Sequence, residues 1–514
     1  MTHRIPTLKK MTTSNSSKSR AGKISLPPPL EVRRLPLALE SDHSKVVTRP
    51  FLPDAARIQR LFRRIGRLDD YEVDEVLAAV LKDYGHRHKN LERIFEENWR
   101  TGCHNAGWGT DCTEPRRLLA GAYLTMEYAV ESAAVFNPSI VPHPDQSSVA
   151  PGEQRFLMSL RATGEGHLSS VVFRTGTLTA DRRMILDPAP QHVRRTRIDP
   201  NREYLKTVFH NKLSEMGVTG PIVQDVISRL DETFAIDELL AAVTDADRHR
   251  GNHAGAKSDL ETIEWLARSN YQIKLDDDAD ISELVIFPMS EADAHGIEDL
   301  RLVQFVEDDG TICYHGTYSS YNGVHTLPTL FSTTDFHHLG FASLNGACSI
   351  NKGMALFPRR INGHYVMCAR IDGENLYIMY SDYVHFWETA ERIQLPRSPW
   401  EMYQMGNCGS PIETPHGWLL LTHGVGPVRT YSISAILLDL ENPRKAIGRL
   451  RQPLVVTSGD EREGYVPNVV YTCGAMIHGD ELIIPYALAD KSVRISAVEL
   501  EPLIERLLSN RMTP

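Results

Sequence analysis

The chain has 514 residues, 41% hydrophobic and 24% charged, which is enough apolar material for two or three packed cores. A formal net charge of -10 argues against nucleic acid or an anionic membrane as the main partner. No apolar run approaches the roughly 20 residues of a membrane span, and seven scattered cysteines, an odd number, do not make a disulfide framework, so a reducing cytoplasm is expected.

Residues 1–50, rich in Ser, Pro, Lys and Arg and without the apolar core of a secretory signal, are expected to be a disordered or loosely docked tail. Residues 51–132 form a helical region, because the runs from Ala55, Asp74 and His88 carry apolar residues three and four apart. The last helix of that region is predicted over Leu118 to Ser132. Residues 133–198 turn to β character, with strands predicted from Arg155 and His167. Helical spacing returns over 199–270, read as an insertion between the first two β units.

Residues 271–514 hold four stretches of one plan, opening at Gly296, Asn351, Gly409 and Val466. In each, a small or polar residue opens an apolar run, a turn follows, and a second β-rich run closes the unit. The spacing of roughly 55 residues is the length of a four-stranded blade. With residues 133–198 as the first blade, the prediction is an all-β five-bladed β-propeller with an N-terminal helical region and a helical insertion. Propellers place their chemistry on the axis, so the residues opening each repeat are the candidates.

Asp299, in Gly296-IEDLR, stands with Glu298 and Arg301 where a β run begins. A carboxyl closed into a pocket has its pKa raised by desolvation and can act as a general acid. Lys352, Arg370 and His423 lie on the first and second strands of neighbouring repeats and would converge as an anion such as phosphate requires. Asn137, Arg161, Glu461 and Asp490 add polar groups at corresponding points, which suits a sugar. Gly164-EGH is a turn that could rim the site. Cys103, His104 and Cys112 lack a fourth ligand at usual spacing, Asp276 to Asp278 reads as a solvated turn, and no phosphate-cradling glycine loop opens a helix; neither metal nor cofactor is expected.

These motifs, Phe136-NPS, Gly296-IEDLR, Lys352 with the run to Arg370, Trp418-LLLTHGV, Ala435-ILLDLENP and Gly464-YVPNVVYTCG, resemble glycoside hydrolase family 130, the β-mannoside phosphorylases and related β-mannosidases, over about Val135 to Leu500. The resemblance implies a single catalytic aspartate at Asp299, which protonates the glycosidic oxygen through the mannosyl 3-hydroxyl while inorganic phosphate, the co-substrate, attacks the anomeric carbon. The product would be α-mannose 1-phosphate, by inversion. It further implies phosphate binding at Lys352, Arg370 and His423, and substrate binding at Asn137, Arg161, Glu461 and Asp490, with Glu298 and Arg301 beside the acid.

Two departures matter. Leu300 replaces a proline of the family pattern, and Glu413 stands where the resemblance implies a phosphate-holding lysine. Glu413, or Glu461, is therefore a candidate hydrolytic base, and an inverting β-mannosidase is the alternative, since such enzymes set two carboxyls roughly 6.5 to 9.5 Å apart. A non-catalytic carbohydrate-binding propeller is the second alternative. The helical regions are read as pocket walls or as a self-association surface, making a homo-oligomer one expected state, with a β-mannosyl oligosaccharide as the partner molecule.

Overall fold

The computed structural model describes residues 30–510 except 191, 197–202, 250–254, 277, 289–295 and 322–325. Five sheets of four or more strands, antiparallel except where Leu284–Ile286 pairs with Arg194–Arg195, follow one another along the chain. The first runs Ala134–Pro142, Gln154–Thr163, Ser169–Leu178 and Leu284–Ile286 from inside outward. The second runs Ile297–Val306, Ile312–Tyr321, Thr326–Thr333, His338–Ser343 and, at its outer edge, Tyr271–Lys274.

Ala355–Leu356, Tyr365–Ala369, Leu376–Ser381 and Ala390–Gln394 make the third sheet. The fourth has an inner strand in two pieces, Gln404–Asn407 and Ile412–Thr414, both paired with Gly417–Val425, followed by Tyr431–Leu438 and Ala446–Arg449. The fifth is split likewise, Val470–Tyr471 and Met476–His478 pairing with Glu481–Leu488, then Ser492–Glu499.

Apolar residues alternate onto both faces of these strands, so every sheet is buried on two sides. One core joins the first and fifth sheets through Val135, Phe156, Ile483 and Ile495. Another joins the first and second through Phe173, Leu302 and Phe331. Phe305 and Met367 link the second to the third, Phe357 and Trp418 the third to the fourth, and Leu421 and Ile484 the fourth to the fifth. Each sheet thus packs on two neighbours and the order returns to its start. Inner strands are tied directly: Leu302 N donates to Ser139 Oγ at 3.0 Å and Cys473 N to Pro138 O at 2.7 Å.

Three expectations are corrected. Residues 32–50 are not a loose tail: Val32–Leu39 is the outer strand of the fifth sheet, paired with Ser492–Glu499, and Asp42–Pro50 pairs with Thr125–Glu131. Pro36 and the arginines disguise the first strand, and the proline is tolerated because the register shifts between Leu35 and Ala38 at an edge. The rest of that expected tail, residues 1–29, lies outside the described residues.

The helix expected over Leu118 to Ser132 ends early, as α4 (Glu114–Tyr123), and Thr125–Glu131 is a strand burying Tyr128 and Val130 at period two. No turn residue separates the two elements, so periodicity alone ran them together. Before it lie α1 (Ala55–Ile65), α2 (Asp70–Tyr84) and α3 (Leu91–Ala106). The third correction concerns the insertion, α5 (Lys206–Glu215), α6 (Pro221–Ser228), α7 (Ile236–His249) and α8 (Ala256–Ser269). It falls within the first sheet, whose fourth strand Leu284–Ile286 is supplied only afterwards. The insertion has its own core around Phe209, Phe234 and Ile263 and docks on the second sheet, where Lys212 Nζ donates to Leu344 O at 2.7 Å. A final helix, α9 (Leu500–Ser509), packs on the fourth and fifth sheets. Among the described residues no helix is long and apolar enough to cross a membrane.

Candidate active site

Asn137 and Asp299 both sit with positive φ, 48° and 59°, at irregularities in the inner strands of the first and second sheets. Asn and Asp are the non-glycine residues that tolerate this region best. The two bulges turn their side chains toward each other, and Asn137 Nδ2 donates to Asp299 Oδ1 at 2.6 Å. Arg161 Nη1 stands 3.5 Å from the same carboxylate, and Arg301 Nη2 stands 3.8 Å from its other oxygen.

Arg301 is 3% exposed and fully engaged: Nε donates to Cys408 O at 3.0 Å, Nη1 to Asp299 O at 2.9 Å and Nη2 to the Tyr471 hydroxyl at 2.9 Å. Burial alone would push the Asp299 carboxyl up. Arg161, Arg301, the Asn137 amide and Lys352 outweigh it and hold the group below the usual carboxylate range, the reverse of the raised pKa expected from sequence.

Glu298 bridges two of the predicted cations. Its Oε1 accepts from Arg161 Nη2 at 3.1 Å and its Oε2 pairs with Lys352 Nζ. Asp490, in the turn between the second and third strands of the fifth sheet, faces the same group. Burial first, then the Asp299 charge, push its carboxyl up to about 6, against the pull of Arg161 and Arg429. Two neighbouring carboxyls are thereby held in different protonation states in mildly acidic solution, below about pH 6.

The raised Asp490 carboxyl sets a sign for stability. The native state binds this proton more firmly than the unfolded chain, so its contribution is present at low pH and is lost as pH rises through about 6. Asp490→Asn, which cannot ionise, is expected to melt higher than the parent at about pH 8 by on the order of 1–3 kcal/mol, with the gap closing toward about pH 4. Thermal melts of both proteins across that range check it.

Arg370 and His423 form the other half. Arg370 Nη1 donates to His423 Nε2 at 3.0 Å, and the Gln404 amide oxygen accepts from the same guanidinium. Burial, then Arg370 and Arg301, depress the His423 pKa well below its usual value, so the imidazole is neutral. Gly406 opposite His423 makes the room, since a Cβ there would come within 2.8 Å of the ring and 3.1 Å of Arg370 Cδ. Arg370 Nε is buried without a hydrogen-bond partner, and among the described residues no carboxylate pairs with this guanidinium. Tyr471 joins the halves, its ring 5.2 Å from His423 and its hydroxyl on Arg301.

The fold therefore brings together Asn137, Arg161, Glu298, Asp299, Arg301, Lys352, Arg370, His423 and Asp490. It leaves two candidates outside. Glu461 is held by Arg34, which donates from Nη2 at 2.9 Å, and by Ser458. Glu413 sits at the opposite end of the inner strands: it pairs with Arg359 at 2.7 Å, and Arg359 bridges Val306, the last residue of the strand that Asp299 opens. That strand is 10 residues long and spans roughly 30 Å. Glu413 is thus on the order of 20 Å from Asp299, far beyond the separation that an inverting pair requires. Arg359 and Arg360 are likewise committed elsewhere, to Glu413 and to Asp308 and Glu307.

Sequence reasoning missed Tyr471, Gln404, Gly406 and Arg429. The first three lie on or beside inner strands that begin away from the predicted openings at Gly409 and Val466, and only the strand register reveals them.

A ring of β-sheets with carboxylates, an amide and arginines gathered at one end defines a protein equipped to hold hydroxyl-rich and anionic groups together. The profile of a family described as β-1,4-mannooligosaccharide phosphorylase matches residues 272–508. A 1,2-β-oligomannan phosphorylase of Thermoanaerobacter is 37% identical over 155 residues, 30% of this chain and 52% of its own length. A β-1,2-mannobiose phosphorylase of Listeria innocua is 29% identical over 229 residues, 43% of this chain and 63% of its own. The chain thus spans between half and two thirds of these relatives. A solved structure of the Listeria innocua β-1,2-mannobiose phosphorylase with β-1,2-mannobiose covers 74% of this chain and 94% of its own at 21% identity and a TM-score of 0.44. Over residues 272–508 the chain is thus similar to the proteins of glycoside hydrolase family 130.

Proposed function

We propose that the protein is an inverting β-mannoside phosphorylase, built as a five-bladed propeller whose blades are the five sheets and whose pocket lies where their inner strands begin. The observation that carries this reading is the half-buried Arg370 guanidinium, lacking a carboxylate partner among the described residues and linked through His423, Tyr471 and Arg301 to Asp299. A half-buried cation without a counter-charge beside an acid suits an inorganic phosphate co-substrate next to a glycosidic bond.

Arg370 and His423 hold the phosphate, with Lys352 reaching it from Glu298. Asn137, Arg161 and Asp490 orient the mannosyl hydroxyls. Asp299 rests ionised, and a phosphate dianion and a bound sugar that displaces water both raise its proton affinity, so that it takes up a proton from solvent as the substrates bind. The protonated acid then delivers its proton, through the mannosyl 3-hydroxyl, to the glycosidic oxygen. The anomeric C–O bond breaks as a phosphate oxygen attacks from the opposite face, leaving the acceptor sugar and α-mannose 1-phosphate. No metal takes part in these steps. Seven unpaired cysteines support a reducing compartment as the site of action.

The ion pairs that hold Glu413 to Arg359 and Glu461 to Arg34 count against the hydrolytic alternative, because they engage both carboxylates read as its water-activating base. Glu413→Gln is expected to leave kcat and the KM for phosphate within about twofold and stability within about 1 kcal/mol, since its ion pair is half exposed. A tenfold loss of turnover would return it to the site. The deciding experiment follows mannose and mannose 1-phosphate separately from a panel of β-mannosyl disaccharides, with and without phosphate. Mannose 1-phosphate formed only with phosphate supports the proposal; free mannose regardless of phosphate overturns it in favour of a hydrolase. Inactivity on the whole panel overturns it in favour of a binding propeller.

A further inference from the structure

Away from this site, at the far end of the first hairpin of the second sheet, Glu307, Cys313 and His315 project on one face, with one ligand atom from each lying within 4.8 Å of the others. Cys313 Sγ and His315 Nε2 are 3.5 Å apart, the edge length of a tetrahedron of ligands around a zinc ion. The orientation of the imidazole is fixed from behind. His315 Nδ1 is 2.9 Å from Ser332 Oγ on the adjacent strand, so the hydroxyl oxygen can accept a hydrogen bond from Nδ1–H and leave the Nε2 lone pair facing the thiol.

His315 is 8% exposed, so its ring is held in place by packing as well as by Ser332. Glu307 is itself oriented, by Arg360 at 3.2 Å and by the Tyr365 hydroxyl at 3.4 Å, both from the third sheet. The cysteine and histidine open into a cavity of about 360 Å³ also lined by Ser332, Thr334 and His338, which leaves space for a water as fourth ligand.

We propose that Glu307, Cys313 and His315 form a zinc site that closes the end of this hairpin. A thiolate, a carboxylate and a neutral imidazole are a mixed S, O and N donor set, and the sulfur ligand selects zinc over magnesium or calcium. On binding, the Cys313 S–H bond gives way to a Zn–S bond and the proton passes to solvent. The site is independent of the reading of Asp299, and its occupant serves the fold rather than the reaction.

Cobalt(II) added to the purified full chain tests this, because a cobalt–thiolate bond has a charge-transfer absorption that oxygen and nitrogen ligands lack. One equivalent is expected to bind with that band, to be displaced by zinc, and to lose the band in Cys313→Ser while keeping it in Cys112→Ser. Ser332→Ala should weaken binding by about 10-fold or more, as loss of an orienting partner does, and Glu307→Gln by at least as much. Zinc should raise the melting temperature of the parent and not that of Cys313→Ser. If Cys313→Ser does not fold, the Glu307→Gln and Ser332→Ala affinities decide. Absence of the band at equimolar cobalt, its persistence in Cys313→Ser, or unchanged affinity in both Glu307→Gln and Ser332→Ala overturns the site.

Discussion

Asp299→Asn is expected to lower turnover of the preferred β-mannoside by about 10³-fold or more with the fold unchanged, because it removes the group that supplies the proton to the leaving oxygen. The substitution is a clean one. Asparagine tolerates the positive φ of 59° at this position, and its amide can still accept from Asn137. The buried arginines lose a counter-charge, which adds a cost in stability but leaves the bulge in place. The measurement is release of mannose 1-phosphate, together with circular dichroism and a melt to show that the variant is folded. Activity within tenfold of the parent would remove Asp299 from the chemistry.

Removing the arginine beneath it should be felt in stability. Arg301→Met would strand the Cys408 carbonyl, the Asp299 carbonyl and carboxylate, and the Tyr471 hydroxyl inside the ring of inner strands. Breaking a buried charged network from one side costs about 3–5 kcal/mol, far more than the methionine regains by packing. Lysine should rescue little, since one ammonium cannot serve partners in three directions from a planar fork. Denaturant titrations of parent, Arg301→Met and Arg301→Lys check both statements, and a loss below about 1 kcal/mol would mean that Arg301 is not the tie between the second and fourth sheets.

Much of this centre was legible because its residues open repeats. Asp299 and Arg301 follow Gly296 at once, Asn137 begins the first β unit, and His423 closes an unmistakable apolar run. The failures share a cause, which is that sequence shows the order of residues and not the end of a strand at which they stand. Gly406 pairs with His423 whereas Glu413 pairs with Trp418, so two pieces of one broken inner strand lie at opposite ends of Gly417–Val425. Read as a motif, Glu413 seemed part of the site; read in register, it belongs to the other face of the protein. The strand Leu284–Ile286 was hidden differently, by an insertion long enough to carry a core of its own before the first sheet is complete.

The pairing of Val32–Leu39 with Ser492–Glu499 has a kinetic consequence. During synthesis the early strand must wait, unpaired, until Ser492–Glu499 has left the ribosome, and its partner then arrives across a loop of several hundred residues. Contacts so remote in sequence slow folding and prolong the exposure of strand edges. The docking of residues 32–39 should therefore follow formation of the second to fourth sheets, so that amide protection in the fifth sheet lags behind theirs.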